Sequence, residues 1–245
     1  MGKLLVNKLS KSFGNKSVLD KVTFTVNEGE FVSILGPSGS GKSTLFHLIG
    51  GISIPDSGEI YLDENQINGK RGSIGYTPQA PSLLPWRTIL QNVLLGAELS
   101  GEKNEEEALK MIKRAGLKGY EKAYPHELSG GMRQRVAFIR SLLSPQSLIC
   151  LDEPFSALDE FTRLDMQKWL LSIWEDYKQS ILFVTHNIEE AIYLSDRIIV
   201  LSANPATVKK EFSIPFKRPR DEDLFLTEEF LQWKKAIYQQ LSNLG

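Results

Sequence analysis

The sequence has one cysteine and no long apolar run. Cys150 lies in a hydrophobic segment and has no second cysteine to pair with, so we expect a reduced thiol in the core of a protein from a reducing compartment. No segment approaches the roughly 20 apolar residues of a membrane-spanning helix. The apolar run near the N-terminus, residues 4–6, is too short for a signal peptide. These absences predict a soluble, cytoplasmic chain that meets a membrane only through a partner.

The sequence also lacks an excess of charge of one sign. Lys and Arg number 29 against 30 Asp and Glu, for a net charge of −1. This balance argues against a nucleic-acid partner, because nonspecific binding of nucleic acid depends on a basic face. One basic cluster, Lys217-Arg218 with Arg220, is interpreted as solvated. The length suits one α/β domain with an inserted subdomain.

A glycine-rich loop stands between the apolar run 31–35 and a helical pattern. In such a loop, backbone N–H groups converge with a helix N-terminus on the β- and γ-phosphates of a nucleotide. A lysine adds charge there, and the serine that follows it is expected to coordinate the Mg²⁺ between the phosphates. A lone glycine loop is more often an ordinary turn, but here the whole pattern is present. This loop, called the P-loop below, is Gly36, Pro37, Ser38, Gly39, Ser40, Gly41, Lys42, Ser43 and Thr44.

The apolar patterns predict a mainly parallel core sheet with two additions. Residues 4–9 and 19–26 indicate strands of an antiparallel β subdomain, and residues 59–62 a further strand. Residues 71–76 indicate a short strand that brings Gln79 to a sheet edge. Apolar runs at 148–151, 181–184 and 198–201 are typical of parallel strands buried on both faces. We expect a nucleotide-binding core over 1–80 and 145–215, an inserted helical subdomain over 81–144, and a helical tail over 216–245.

Two carboxylates follow the strand at 148–151. Asp152 is expected to hold Mg²⁺ through water, and Glu153 to face the water that attacks the γ-phosphate. Without a phosphate loop, such a pair would indicate a turn. His186 follows the strand at 181–184, where ligands bind in open α/β sheets, so we interpret it as functional.

A second phosphate-binding helix start is predicted at Ser129, Gly130 and Gly131, ahead of a helical pattern. Alone, these residues would be a helix cap. Together with the preceding stretches they resemble the signature motif of the ATP-binding-cassette (ABC) ATPases, and the order of all motifs along the chain agrees with that family. The resemblance implies a P-loop ATPase of α/β class that hydrolyses ATP with Mg²⁺.

The resemblance also implies roles for further residues. Phe13 matches the aromatic that stacks on adenine, and Gln79 the glutamine between the sheet and the helical subdomain, with a role in catalysis and metal binding. Asp159, in the run 156–159, matches the loop that crosses a dimer interface. His186 matches the histidine that contacts the γ-phosphate. Two copies would then close head to tail over ATP.

Finer motifs resemble one branch of the family. The run 83–88, the run 124–135 and the stretch 215–221 are similar to importer subunits for nitrate, aliphatic sulfonates and taurine. The implied partners are membrane permease subunits on the inner face of the cell membrane and a solute-binding protein. Subunits that import thiamine precursors are similar, and an exporter is the other alternative. An ABC protein of DNA repair would need a long coiled coil, and a ribosome-acting ABC protein would need a second cassette. The sequence therefore favours a transport-type cassette over these two classes.

Overall fold

The computed structural model describes residues 3–101 and 103–242. Its strands are β1 (Leu4–Phe13), β2 (Lys16–Val26), β3 (Phe31–Leu35), β4 (Ser57–Leu62), β5 (Asn65–Gln66), β6 (Gly75–Thr77), β7 (Leu148–Asp152), β8 (Ser180–Thr185), β9 (Arg197–Leu201) and β10 (Val208–Ser213). Its α-helices are α1 (Lys42–Ile49), α2 (Ile89–Val93), α3 (Leu95–Ser100), α4 (Glu105–Arg114), α5 (Gly130–Leu142), α6 (Glu160–Tyr177), α7 (Ile188–Leu194) and α8 (Glu228–Ser242).

The larger sheet carries the predicted parallel strands. Its order is β10-β9-β3-β8-β7-β6, and every pair is parallel except β10 with β9. All residues of β3, β7 and β8 are buried, as the continuous apolar runs predict. Cys150 in β7 is fully buried, which confirms the expected core thiol.

The second sheet is antiparallel, with order β2-β1-β4-β5. β1 and β2 form a hairpin in which Phe13 pairs with Lys16 across the two-residue turn Gly14-Asn15. Both strands extend further towards this turn than the apolar pattern predicts. The expected strand at 71–76 is wrong in its first part: Gly72 has a φ of +78°, and only Gly75–Thr77 pairs with β7.

The two faces of the parallel sheet are covered differently. Alternate residues of the strands, such as Phe183 in β8, pack with α2, α4, α5 and α6 in one hydrophobic cluster. The other residues, such as Leu182 and Val184, pack with α1 and the antiparallel sheet in a second cluster. The predicted fold class is confirmed, because a mainly parallel sheet, an antiparallel sheet and helices between the strand regions are all present. The boundaries of the predicted subdivision remain a prediction.

Two helices between the strand regions, α2 and α4, begin at capping side chains. The side chain of Asn104 accepts a hydrogen bond from the backbone of Glu107 at the start of α4, and Thr88 caps α2 in a reciprocal capping box with Gln91. Met111 and Ile112 of α4 are fully buried against the first cluster. No helix in the described ranges is long and apolar enough to cross a membrane.

The C-terminal helix α8 packs on the domain itself. Thr227 caps it by accepting a hydrogen bond from the backbone N–H of Phe230, at 3.2 Å. Phe230 and Ile237 are buried with residues of α7, β9 and β10. Leu244, which the helical spacing assigns to the same stripe, lies outside the described residues.

The predicted solvated state of the basic cluster is wrong for two of its three members. Arg220 is 8% exposed and donates to the backbone carbonyls of Ile192, Tyr193 and Ser195 at the end of α7, at 2.8 to 2.9 Å. Arg218 pairs with Asp196 at 2.8 Å. Only Lys217 is exposed. These arginines satisfy carbonyls at a helix end and attach the chain leading to α8.

Candidate functional site

Most of the predicted site residues follow four neighbouring strands of the parallel sheet. β3, β8, β7 and β6 lie side by side, and their carboxyl ends meet at one edge. They lead into Gly36, His186, Glu153 and Gln79. This is the edge at which open α/β sheets bind ligands. The sheet order therefore gathers segments that are far apart in the sequence.

The loop between β3 and α1 is built for a close backbone approach. Gly41 immediately precedes α1 with a φ of +87°, in the left-handed region that favours glycine. A Cβ atom at Gly41 would lie 2.8 Å from Cγ1 of Val18, so the loop packs directly on β2. The side chain of Lys42 folds back and donates from Nζ to the carbonyls of Gly36 at 2.9 Å and Pro37 at 3.0 Å.

This loop borders a cavity of about 380 Å³. Burial lowers the pKa of the Lys42 ammonium, whereas Glu153 and Asp152 oppose that effect by favouring its charge. Phe13 is 54% exposed at the tip of the β1–β2 hairpin and belongs to the same lining. The lining residues are Phe13, Val18, Ser38, Gly39, Ser40, Gly41, Lys42, Ser43, Thr44 and Glu153.

The chemistry of these residues fits a nucleotide with a bound Mg²⁺. Backbone N–H groups, a helix start and a lysine face the cavity together, which suits phosphates. Ser40 has a buried hydroxyl with no hydrogen-bond partner among the described residues. Ser43 and Asp152 supply hydroxyl and carboxylate oxygens, the hard ligands that Mg²⁺ takes alongside phosphate oxygens and water.

Asp152 ends β7 and is largely buried. Burial raises the pKa of its carboxyl group, and hydrogen bonding from Tyr76 and Ser43 works in the opposite direction. The Tyr76 hydroxyl donates to Asp152 Oδ2 at 3.2 Å. Tyr76 was not predicted as a site residue, although it is the last residue of the strand expected at 71–76, the strand that leads to Gln79.

Glu153 and His186 are brought together. Glu153 has a φ of +44°, an uncommon and strained value for a residue with a side chain. Its backbone N–H donates to the carbonyl of Val184 at 3.0 Å, which fixes the chain beside β8. Glu153 Oε2 then lies 3.0 Å from Nδ1 of His186. The carboxylate and the imidazole form a pair at the carboxyl edge of the sheet. Such a pair is suited to take a proton from a water molecule.

Gln79 is joined to Glu153 through Ser156. Gln79 Nε2 donates to the hydroxyl of Ser156 at 2.9 Å, and that hydroxyl donates to the carbonyl of Glu153 at 2.9 Å. The backbone carbonyl of Gln79 accepts from Nε2 of Gln134 on α5, at 3.1 Å. Sequence reasoning placed Gln134 in a family motif but assigned it no contact, because the two glutamines are 55 positions apart.

The second predicted phosphate-binding helix start is formed by Ser129 and α5. Ser129 Oγ accepts a hydrogen bond from the backbone of Met132 at 3.3 Å, and both Ser129 and Gly130 are exposed. Asp159, similarly, caps α6 by accepting from the backbone of Thr162 at 3.0 Å. Ser129, Gly130, Gly131 and Asp159 do not line the cavity at the P-loop.

The chain is similar to the ATP-binding proteins of several transporters. It is 40% identical over 98% of its length to the aliphatic sulfonates import ATP-binding protein SsuB of Bacillus cereus, 96% of which is covered. It is 45% identical over 98% of its length to the formylaminopyrimidine import ATP-binding protein ThiZ of Halalkalibacterium halodurans, 95% of which is covered. An uncharacterized ABC transporter ATP-binding protein of Methanocaldococcus jannaschii is 45% identical over 98% of this chain, with 92% of that protein covered.

Solved structures show the same architecture. One is the dimeric post-hydrolysis state of an ATP-binding cassette bound to ADP and Pi, with a TM-score of 0.73 and 31% identity over 87% of this chain and 100% of that one. The family model described as ABC transporter matches residues 19–156, more than half of the chain. The sequence order of the motifs, the sheet edge they share and these similarities together establish that this chain belongs to the ABC transporter family, as one of its ATP-hydrolysing cassettes.

Proposed function

We propose that this chain is the ATP-binding and ATP-hydrolysing subunit of an ABC importer for a small solute. The observation that carries the proposal is the paired Glu153 and His186 beside a P-loop cavity in a chain whose relatives are named as import ATP-binding proteins. The subunit would work on the cytoplasmic face of the membrane. Its partners would be permease subunits and, outside them, a solute-binding protein.

The nucleotide would lie along the P-loop cavity. Phe13 at the hairpin tip is exposed and free to stack on the base, and residues 36–44 would hold the phosphates through backbone N–H groups and Lys42. Ser43 and Asp152, with Gln79, would hold Mg²⁺. Held there, Mg²⁺ would supply positive charge that offsets the negative charge of the nucleotide phosphates.

Glu153 would orient and deprotonate the attacking water. Its carboxylate lies at the cavity and is held by His186, whose exposed imidazole would also meet the γ-phosphate. The contact from Gln79 to Ser156 to the carbonyl of Glu153 would report phosphate occupancy to the helical region. A movement of Gln79 would therefore be passed through Ser156 to the backbone of Glu153.

Two chains would share each nucleotide. The start of α5 is a second helix N-terminus suited to phosphate, and its exposed Ser129 and Gly130 are not part of this chain's own cavity. A two-fold dimer allows Ser129 and Gly131 of one chain, with Asp159 nearby, to close over ATP held by the other. ATP would then act as a removable clamp, because ADP lacks the γ-phosphate that faces the second helix.

The surface after Gln79 would receive the permease. Trp86 is 71% exposed there, and Arg140 fastens the segment by donating to the carbonyls of Ser82 at 2.8 Å and Pro81 at 3.1 Å. The motifs at 83–88, 124–135 and 215–221 suggest nitrate, sulfonate or taurine as the solute, and the similarity to SsuB favours an aliphatic sulfonate among these. The alternative is another transport-type system, either an importer of a thiamine precursor, which the similarity to ThiZ favours, or an exporter.

The first experiment is the variant Glu153→Gln. It should retain ATP binding, lose roughly 10²-fold or more in turnover because a general base is removed, and form an ATP-dependent dimer in size-exclusion chromatography with light scattering. Glu28→Gln, in an exposed turn, is the matched control and should behave as the parent. Near-normal turnover of Glu153→Gln would contradict the assigned role.

The second experiment concerns the partner. A tagged chain purified from source membranes should co-isolate with a permease whose gene lies beside that of a solute-binding protein. A ligand screen on that binding protein then identifies the solute. Co-isolation with a permease that has no adjacent binding-protein gene would favour the exporter.

A further inference from the structure

The Phe13 ring is held at the hairpin tip by a cation. Lys11, two residues earlier on the same strand, places its Nζ 5.5 Å from the centroid of the Phe13 ring. The attraction between an ammonium and the face of an aromatic ring favours this arrangement. An aromatic side chain that is 54% exposed would otherwise have few contacts to limit its rotamers.

Asp56 holds this lysine and the strand beside it. One carboxylate oxygen accepts from Lys11 Nζ at 2.7 Å, and the other accepts from the backbone N–H of Ser12 at 2.7 Å. The backbone N–H of Asp56 donates to the carbonyl of Ser10 at 3.0 Å. Asp56 therefore contacts three consecutive residues that lead directly to Phe13. These charge-assisted bonds also lower the pKa of the Asp56 carboxyl group.

The turn that contains Asp56 is fixed against β1. Gly58 has a φ of +89°, and a Cβ atom there would lie 2.4 Å from the carbonyl oxygen of Lys8. The turn follows α1, the helix that begins at the P-loop, and precedes β4. Asp56 thus connects the chain leaving the phosphate-binding helix with the hairpin tip.

We propose that Asp56 and Lys11 are positioning residues that hold the Phe13 ring in place for the adenine base of ATP. The proposal rests on the proposed function, in which Phe13 is the base platform. Immobilising a side chain on binding has a free-energy cost, and a ring that is already held avoids part of it. Since the pair is partly exposed, the expected gain in ATP affinity is roughly two- to tenfold.

The test compares Lys11→Met and Asp56→Asn with the parent chain. Both variants should raise the KM and the Kd for ATP by roughly two- to tenfold while kcat stays within about twofold. The Kd for tripolyphosphate, which has no base, should not change. Lys21→Met on the partner strand is the matched control. Lys11→Arg should restore most of the affinity, because arginine keeps both the charge and the cation–π contact.

A double-mutant cycle separates this role from a direct contact with ATP. If Lys11 acts through the ring, Lys11→Met should add nothing to the effect of Phe13→Ala. Equal losses in the presence and absence of Phe13, or a loss of tripolyphosphate affinity, would overturn the proposal. An unchanged KM in both Lys11→Met and Asp56→Asn would also overturn it.

The variant Phe13→Ala distinguishes the two levels of the hypothesis. If Phe13→Ala raises the KM for ATP but the Lys11 and Asp56 variants do not, the base platform stands and the positioning pair falls. If Phe13→Ala has no effect either, the proposed role of Phe13 falls with it. Thermal melting of each variant shows whether it is folded like the parent, so a loss of tripolyphosphate affinity counts against the proposal in a variant whose melting temperature is unchanged.

Discussion

The starts of α1 and α5 are both helix N-termini suited to phosphate, but they are built differently. At α1, Lys42 is 6% exposed and bonded to two loop carbonyls, and Gly41 packs on Val18. The loop and the neighbouring strands line an open cavity of about 380 Å³. At α5, Ser129 and Gly130 are exposed, and only the next residue, Gly131, is buried.

The difference separates a preorganised site from a surface that needs a partner. A nucleotide at α1 meets groups whose positions are already fixed, so binding orders little of the protein. The start of α5 is exposed at Ser129 and Gly130 and does not line the cavity at α1, so we expect it to contribute to affinity only when another surface brings a phosphate to it. ATP binding should therefore depend on the site at the start of α1, within one chain. ATP hydrolysis should depend on the sites at the starts of both α1 and α5.

The largest effect is expected from Lys42→Met, which breaks the preorganised site. Methionine keeps the length of the side chain but removes the charge, and hydrogen bonds to charged groups contribute about 1.5 to 3 kcal/mol each. ATP affinity should fall roughly 10²-fold or more, measured by isothermal titration calorimetry. Lys70→Met, an exposed lysine in a turn, is the control. Affinity within threefold of the parent would contradict the assignment of Lys42.

The next largest effect is expected from Ser129→Asp, which should disrupt the phosphate contact at the start of α5 and leave the site at α1 intact. Aspartate is as good a helix N-cap as serine, so stability should hold, but its charge repels the γ-phosphate of a facing nucleotide. The Kd for ATP of the single chain should stay within about threefold. Turnover should fall roughly 10²-fold, and the ATP-dependent dimer of Glu153→Gln should not form.

The neutral cap Ser129→Asn serves as the control for that variant. Asparagine caps a helix equally well and brings no charge. It should retain much more turnover than Ser129→Asp in the same coupled ATPase assay. Equal losses in the two variants would mean that shape at α5, and not charge, determines the contact.

The two sites also differ in how far the sequence predicts them. The P-loop, its flanking β3 and α1, and the parallel strands β7 and β8 follow from local patterns, because glycine spacing and continuous apolar runs have local causes. Capping side chains such as Asn104 and Thr227 are local signals too, and each accepts a backbone hydrogen bond at the start of its helix.

Contacts across long sequence separations were not predictable. Tyr76 contacts Asp152, and Gln134 contacts Gln79, only because β6, β7 and α5 pack together. Arg220 was interpreted as solvated because charge is usually exposed, yet it is buried where the chain passes the end of α7. The sequence contains the donors in each case, but the tertiary arrangement supplies the acceptors.

A smaller effect is expected from alanine in the P-loop glycines, which tests the packing of the first site. Gly41→Ala places a Cβ atom 2.8 Å from Val18 Cγ1 in a backbone with positive φ. It should lower the free energy of unfolding by roughly 2 to 4 kcal/mol, as strain and overpacking add. Gly39→Ala is the matched comparison: its φ is +76°, but nothing lies within 4 Å, so only the backbone cost of about 1 to 2 kcal/mol applies.

Urea denaturation of the two glycine variants measures the difference. The difference between the two variants in free energy of unfolding measures the contact between the loop and β2, because the backbone cost is common to both. Equal destabilisation would mean that β2 yields to the added atom and that the loop is less tightly packed than the distances indicate. The start of α5, where Gly130 is open, should tolerate alanine with a cost below that of either.

The smallest effect is expected from Gln134→Met, which tests the connection between the two sites. Gln134 lies on α5, and its Nε2 donates to the backbone carbonyl of Gln79, while its Oε1 is buried and has no hydrogen-bond partner within the described part of the chain. Methionine removes one hydrogen bond, worth about 0.5 to 1.5 kcal/mol, and also removes the unsatisfied oxygen, so stability should change by less than about 1 kcal/mol. Turnover should nevertheless fall roughly two- to tenfold, because Gln79 is then less firmly placed beside Ser156 and Glu153. The ATP affinity of the single chain should not change. A parallel fall in ATP affinity and turnover would show that α5 supports the P-loop directly. The sites at α1 and α5 would then be less separate than their geometry indicates.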